Sequence, residues 1–184
     1  MSRIESPKYE IERADGAIEI RAYAPIIVAE AQVKGERRAG INEGFRLIAG
    51  YIFGGNDGSK KIAMTAPVQQ ALEDTANPES GDRPPKSATW MVSFVMPQSW
   101  TLETLPRPND SRVSLRPVSA KKFVAIRFSG LASADKIDRK TAELRAYASA
   151  HKIQTTGSPL LAFYNPPWTL PFMRRNEIML EIVR

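Results

Sequence analysis

The sequence predicts an α+β fold: a distorted antiparallel β-barrel made of two similar ββαββ halves, with one helix from each half packed outside. Three observations lead to it. Short runs of alternating apolar and polar residues flank two longer stretches with helical periodicity. The order strand, strand, helix, strand, strand occurs twice, over about 9–97 and 112–184. Val33 before Gly35 and Phe128 before Gly130 stand 95 positions apart, the spacing of a weak internal duplication. Each strand run has one apolar face and must bury it, so two such halves pair into one rolled sheet with helices outside.

Residues 9–33 read as strands. Ile18 and Ile20 alternate with Glu19 and Arg21, the period-2 mark of a half-buried strand. Ala14-Asp15-Gly16 is a hairpin signal. Pro25 punctuates before Ile27, Ala29, Ala31 and Val33. A helix is expected over about 36–53, where Ile41, Phe45, Ile48 and Ile52 form an apolar stripe flanked by Gly44, Leu47 and Tyr51. Gly54-Gly55-Asn56-Asp57-Gly58 stops it. A strand then runs to about Ala71, and residues 73–87 read as a polar loop. Thr89 to Met96 is a strand that puts Trp90, Val92, Phe94 and Met96 on one face, and Pro97 ends it. After a loop over 98–111, Val113 and Leu115 mark one strand, and Val124, Ile126 and Phe128 the next. Ser133 caps a helix over about 134–150, with Ile137, Thr141, Leu144 and Ala148 on one face. Leu160 to Tyr164 and Asn176 to Val183 close the chain as strands.

Composition narrows the function classes. The 184 residues include 42% hydrophobic and 25% charged, ordinary for a globular domain with a substantial core. No run of about 18 apolar residues is present, so no membrane span is expected. The start of the chain shows no apolar signal region, so the expected location is cytoplasmic, or periplasmic if a leader has been removed. There is no cysteine, which excludes disulfides, thiolate metal sites and a Cys nucleophile. The net charge of +6 is spread in pairs such as Arg37-Arg38 and Lys60-Lys61 rather than in one block, so no nucleic-acid partner is expected. No Gly-x-Ser-x-Gly elbow, phosphate loop or His-Glu-x-x-His motif occurs. With His151 the lone histidine, neither catalytic residues nor a protein metal site are expected.

Two separated motifs carry a family resemblance. Lys60-Lys61-Ile62-Ala63-Met64-Thr65-Ala66-Pro67-Val68 follows the first helix and its Gly-Gly-Asn-Asp turn. Tyr164-Asn165-Pro166-Pro167 is followed by Arg174-Arg175-Asn176-Glu177-Ile178. In this order, over the chain from about Tyr9 onward, the pair resembles the SOUL haem-binding family. That resemblance implies one SOUL-type domain over 1–184, with the barrel fold also seen in bacterial effector-binding domains. It also implies non-covalent, non-catalytic binding of haem or a related tetrapyrrole, as a carrier or buffer. The alternative it leaves is sensing of another hydrophobic small molecule. Oligomeric state is not readable.

The resemblance places the ligand between the first helix and the Pro166–Met173 loop. A flat apolar ring needs a flat apolar floor with polar or basic groups at its edge. Leu47 and Tyr51, with Gly44, suit that floor and suit the core equally. Trp168, Leu170, Phe172 and Met173 suit an exposed apolar wall stiffened by prolines, and suit a buried cap equally. Arg174 and Arg175 are candidate anchors for a propionate, and also suit a structural pairing with Glu177. Met64 and Tyr51 are candidate axial groups. His151, at the end of the second helix, suits a dipole-favoured surface position better. Asn42, Gly50 and Thr169 or Leu170 stand where animal members of the family carry basic residues. Arg46, Lys60 and Lys61 are the substitutes at hand, and the shortfall implies weaker or altered tetrapyrrole binding.

Overall fold

The computed structural model describes residues 4–73, 87–166 and 168–183. Among these residues, nine strands and two helices follow one another as β1 (Tyr9–Asp15), β2 (Ile18–Tyr23), β3 (Ile26–Lys34), α1 (Arg37–Ile52), β4 (Val68–Leu72), β5 (Thr89–Val95), β6 (Val113–Val118), β7 (Lys121–Phe128), α2 (Ala134–Ala150), β8 (Thr155–Phe163) and β9 (Asn176–Ile182). A short 3₁₀ turn, Pro171–Met173, precedes β9. Most of the loop expected at 73–87 lies outside the described residues.

All nine strands belong to one antiparallel sheet, in the order β1-β2-β7-β9-β8-β4-β5-β3-β6. From β2 to β6 that order is symmetric about the β8–β4 junction. On one side β3, β5 and β4 lie side by side, and on the other β7, β9 and β8 repeat the arrangement. The strand that precedes each trio pairs with the opposite half: β2 with β7, and β6 with β3. The halves are therefore interlocked rather than merely abutted. The expected barrel is corrected in one respect: β1 and β6 are edges, so the rolled sheet is not closed by hydrogen bonds. Strand β1 is an additional outer strand, mostly exposed and interrupted by a register shift near Ile11, features that blunt an open edge.

Alternation sorts the side chains onto two faces. One carries the helices. Helix α1 lies chiefly over β3 and β5, and α2 over β7 and β9. Beneath α1 the core joins Val33, Ile48, Tyr51, Ile52, Trp90, Val92 and Phe94. Beneath α2 it joins Val124, Ile126, Leu144, Ala148, Ile178 and Leu180. The opposite face holds a smaller cluster of Ala125, Ala162 and Met179, with Tyr23 and Tyr164 packed against it.

The seating of α1 departs from the sequence expectation. A Cβ on Gly44 would fall 2.5 Å from Val92 Cβ, so only glycine lets the helix settle onto β5 at that point. Settling there turns the Gly44 flank inward. Gly44, Ile48, Tyr51 and Ile52 are buried, whereas Phe45 remains 37% exposed. The stripe and its flank thus share the core, and Phe45 moves to the margin. At the end of α1, Gly54 takes φ 117°, open to glycine at no cost, and Asn56 Nδ2 donates to the carbonyls of Tyr51 (2.7 Å) and Lys60 (2.8 Å). Helix α2 begins as expected, with Ser133 Oγ accepting from the Lys136 amide at 3.4 Å.

Candidate ligand-binding site

Because α1 and α2 lie over different strands, the β4–β8 seam runs between them. Register places Phe94, Val68 and Phe163 directly opposite one another across β5, β4 and β8, with Asn176 and Phe128 continuing the row. Val68 and Phe163 are half-buried. Phe45 of α1 packs on Phe94 with ring centroids 5.5 Å apart. Phe94, Asn176 and Phe128 are buried, so the open part of the seam is Val68 and Phe163, with Phe45 at its margin.

Cations stand over this row. The Arg37 guanidinium lies 6.0 Å from the Phe163 ring centroid, and its Nη2 donates to the Ala132 carbonyl at 2.7 Å. Burial, seconded by the charge of Arg38 and opposed by Asp138, lowers the Arg37 pKa. A partly buried guanidinium gains by acquiring a carboxylate or other anion. Lys136 Nζ lies 5.7 Å from the Phe128 ring. The seam also holds an orphaned acceptor: Gln70 Nε2 donates to the Arg37 carbonyl at 2.8 Å, but the buried Gln70 Oε1 has no hydrogen-bond partner.

The loop between β8 and β9 rises from this row, leaving just after Phe163 and returning at Asn176. Its own hydrogen bonds fix it: Thr169 N to Pro166 O, Met173 N to Leu170 O and Arg174 N to Pro171 O. Gly130 N donates to Pro171 O at 2.9 Å, which ties the loop to the entry of α2. So held, it presents Trp168 (83% exposed), Phe172 (73%), Met173 (62%) and Leu170 (55%) to solvent. Four large apolar side chains within six residues form an unusual surface patch. Covering each fully would contribute about 1.5–3 kcal/mol.

The other expected site residues are placed as follows. Tyr51 is corrected from floor to core: it is 2% exposed and its hydroxyl donates to the Pro106 carbonyl at 2.9 Å. Burial pushes its pKa up to about 12. Leu47 and Met64 are half-buried and pack against the core beneath α1. Arg174 Nε donates to the Thr169 carbonyl at 2.7 Å and so braces the loop. Arg175 turns to Glu177, with contacts of 2.9 and 2.7 Å. His151 stacks on Tyr147 with ring centroids 4.0 Å apart, and its Nδ1 lies 2.9 Å from the Tyr147 carbonyl. It ends α2, whose 17 residues span about 25 Å from the Ser133 cap.

Arg37, Val68 and Phe163 were not singled out from the sequence. One cue was present. Helix α1 opens with Arg37-Arg38 and no acid in its first turn, although cations there oppose the helix dipole.

The residues suit a tetrapyrrole in its ring and its carboxylates: an apolar floor and wall, and a guanidinium at the edge. Among the described residues no group of three or more His, Cys, Asp or Glu side chains is arranged to hold a metal ion.

Known proteins agree with this architecture. Heme-binding protein 2 of Mus musculus is 28% identical over 177 residues, covering 93% of this chain and 80% of its own. The EcmrR C-terminal domain superposes with a TM-score of 0.67 at 12% identity, covering 96% of this chain and 98% of that one. A hydrolase from Listeria innocua superposes at 0.61 with 14% identity, covering 94% of each. At such identities the last two likenesses are of fold alone. The model of the SOUL heme-binding protein family matches residues 4–181, and the chain belongs to that family.

Proposed function

We propose that this protein binds haem or a related tetrapyrrole, non-covalently and without catalysis, as a carrier or buffer. The observation that carries the reading is the fixed, outward-facing set Trp168, Leu170, Phe172 and Met173 beside the half-open Phe163 seam. In this reading Phe163, Val68 and Phe45 meet one face of the ring, and the loop side chains meet the rest. Leu47 and Met64, which keep part of their surface open, extend the apolar margin. Arg37 pairs with a ring carboxylate. Arg174 and Arg175 act one step back, by holding the loop in place. When bound, haem supplies its own iron chemistry; the chain's residues supply desolvation and orientation.

A second reading is recognition of the flat ring without regard to its iron. The engagement of His151 with Tyr147 favours it. Absorbance titrations with hemin and with metal-free protoporphyrin separate the two. Equal affinities mean that the ring and carboxylates are recognised. A preference for hemin of tenfold or more means that an iron ligand takes part. Absence of saturable binding of either at micromolar protein defeats both readings.

A further inference from the structure

A cavity lies elsewhere, where the N-terminal segment crosses the ends of three strands. It is a half-open pocket of about 620 Å³ between the N-terminal segment Glu5–Lys8, the start of β3, the end of β6 and the Pro97–Trp100 stretch. Ile26 and Val95 line it. Along the same strands, Ala29 and Phe94 belong to the core beneath α1. By alternation, Ile26 and Val95 point the other way. Ile27, Met96 and Trp100 also line it, and they belong to or pack against the core beneath α1, so the cavity opens at the strand ends; it shares no lining residue with the Phe163 seam.

Its walls are built rather than incidental. The N-terminal segment is pinned across the opening by Ala66 N to Glu5 O (2.9 Å) and by Gln98 N to Glu5 Oε1 (2.9 Å). Pro7 is buried. Thr65 Oγ1, in the lining, is already engaged, donating to the Val95 carbonyl at 2.6 Å. At the mouth Glu5 and Lys8 carry opposite charges. Trp100, half-buried in the lining, donates its backbone amide to Pro97 O, and its indole carries one further N–H donor.

We infer that this cavity binds an uncharged, largely apolar small molecule that carries one hydrogen-bond acceptor. Its volume lies within the range of small-molecule sites, about 300–1,000 Å³. Balanced charge at the mouth favours neither anion nor cation. A proline- and aliphatic-lined interior favours an apolar body. The Trp100 indole supplies a ring surface and a single donor, a pairing suited to an aromatic carbonyl compound.

Nile red, a neutral aromatic dye with a carbonyl acceptor, is the probe. Its fluorescence is titrated with the full chain and with Ala24→Trp and Ser119→Trp, which fill the cavity from exposed turns. Trp100→Phe and the loop pair Trp168→Ser/Phe172→Ser complete the set. Saturable binding is expected in the full chain, weakened tenfold or more by either filling variant. Trp100→Phe is expected to weaken it about fivefold, the loss of one neutral hydrogen bond. The loop pair is expected to leave it unchanged. Hemin binding should show the reverse pattern, so failure of the haem reading would leave this result standing. Absence of saturable Nile red binding, indifference to both filling variants, or loss in the loop pair overturns the proposal. Because the filled positions lie in two different turns, one folded filling variant suffices.

Discussion

Arg21 and Glu177, 156 positions apart in the chain, meet in a bidentate ion pair with contacts of 2.7 and 3.0 Å. Both residues are 1% exposed. The pair joins β2 to β9 across β7, and it gathers a network. Glu19 accepts from Arg21 Nε at 2.7 Å, and the Tyr164 hydroxyl donates to Glu177 at 3.0 Å. Arg175 brings a second guanidinium, stacked 4.0 Å from the Tyr164 ring, and reaches the Tyr9 hydroxyl at 3.3 Å. One carboxylate thus fastens the outer strands and the far end of the β8–β9 loop together. Burial pushes the Tyr23 hydroxyl beside it up to about 12.

Removing the carboxylate leaves Arg21 buried without its main partner. Glu177→Ala is expected to cost about 3–5 kcal/mol, the range for breaking a buried pair from one side. Arg175→Ala is expected to cost less, about 1 kcal/mol, because its side chain is partly solvated and Arg21 still pairs with Glu177. Urea unfolding measures both, and a Glu177→Ala loss below that of Arg175→Ala would contradict the assignment.

The same group sets a pH dependence. Burial alone would raise the Glu177 pKa, but hydrogen bonds and charge from Arg21 and Arg175 outweigh it, and the net shift is downward. A depressed carboxylate contributes stability in full above its unfolded value, and loses it as pH falls through the lower folded value. The stability gap between the natural chain and Glu177→Gln is therefore expected to be widest near neutral pH and to close on acidification below about 4. Urea midpoints from pH 7 to pH 3 check this. A gap that widens in acid would carry the wrong sign.

Helix α1 offers a paired test of its seating. A Cβ on Gly44 meets Val92 at 2.5 Å, whereas one on Gly50 meets nothing within 4 Å. Gly44→Ala is expected to destabilise by about 1–3 kcal/mol through overpacking. Gly50→Ala is expected to stabilise by about 0.5–1 kcal/mol through helix propensity. Thermal unfolding resolves both, and equal effects would mean that α1 does not rest on β5 at Gly44.

Tyr51 separates core from site. Tyr51→Phe leaves the Pro106 carbonyl without its donor, at a cost of about 0.5–1.5 kcal/mol. Its hemin affinity should match the natural chain, since the ring stays inside. A lowered affinity with unchanged stability would return Tyr51 to the binding surface.

Much of this architecture was legible along the chain, because strand alternation and helix periodicity are local. Ile18 with Ile20, and Val124 through Phe128, marked their strands directly. The Ser133 cap and the Gly54-Gly55 stop bounded the helices. Strand partners were not legible: nothing local in Ile18–Tyr23 says that it pairs with β7 of the other half rather than with β3. The inward turn of Tyr51 depends on Gly44 meeting Val92, a contact between residues 48 positions apart. Phe163 is one unmarked residue of the expected Leu160–Tyr164 strand, and only folding brings Arg37 over it. The exposed loop was half legible, since its composition is apolar but exposure depends on what lies opposite.

The most direct test is paramagnetic line broadening of the backbone amides of the isotopically labelled protein, with and without one equivalent of hemin. The account predicts that Arg37, Phe163 and 168–173 broaden, except for the amide-less Pro171, while Trp100 and Ser119 of the other cavity keep their intensities. Broadening centred on His151, or on Trp100 and Ser119 with the loop unaffected, would contradict it.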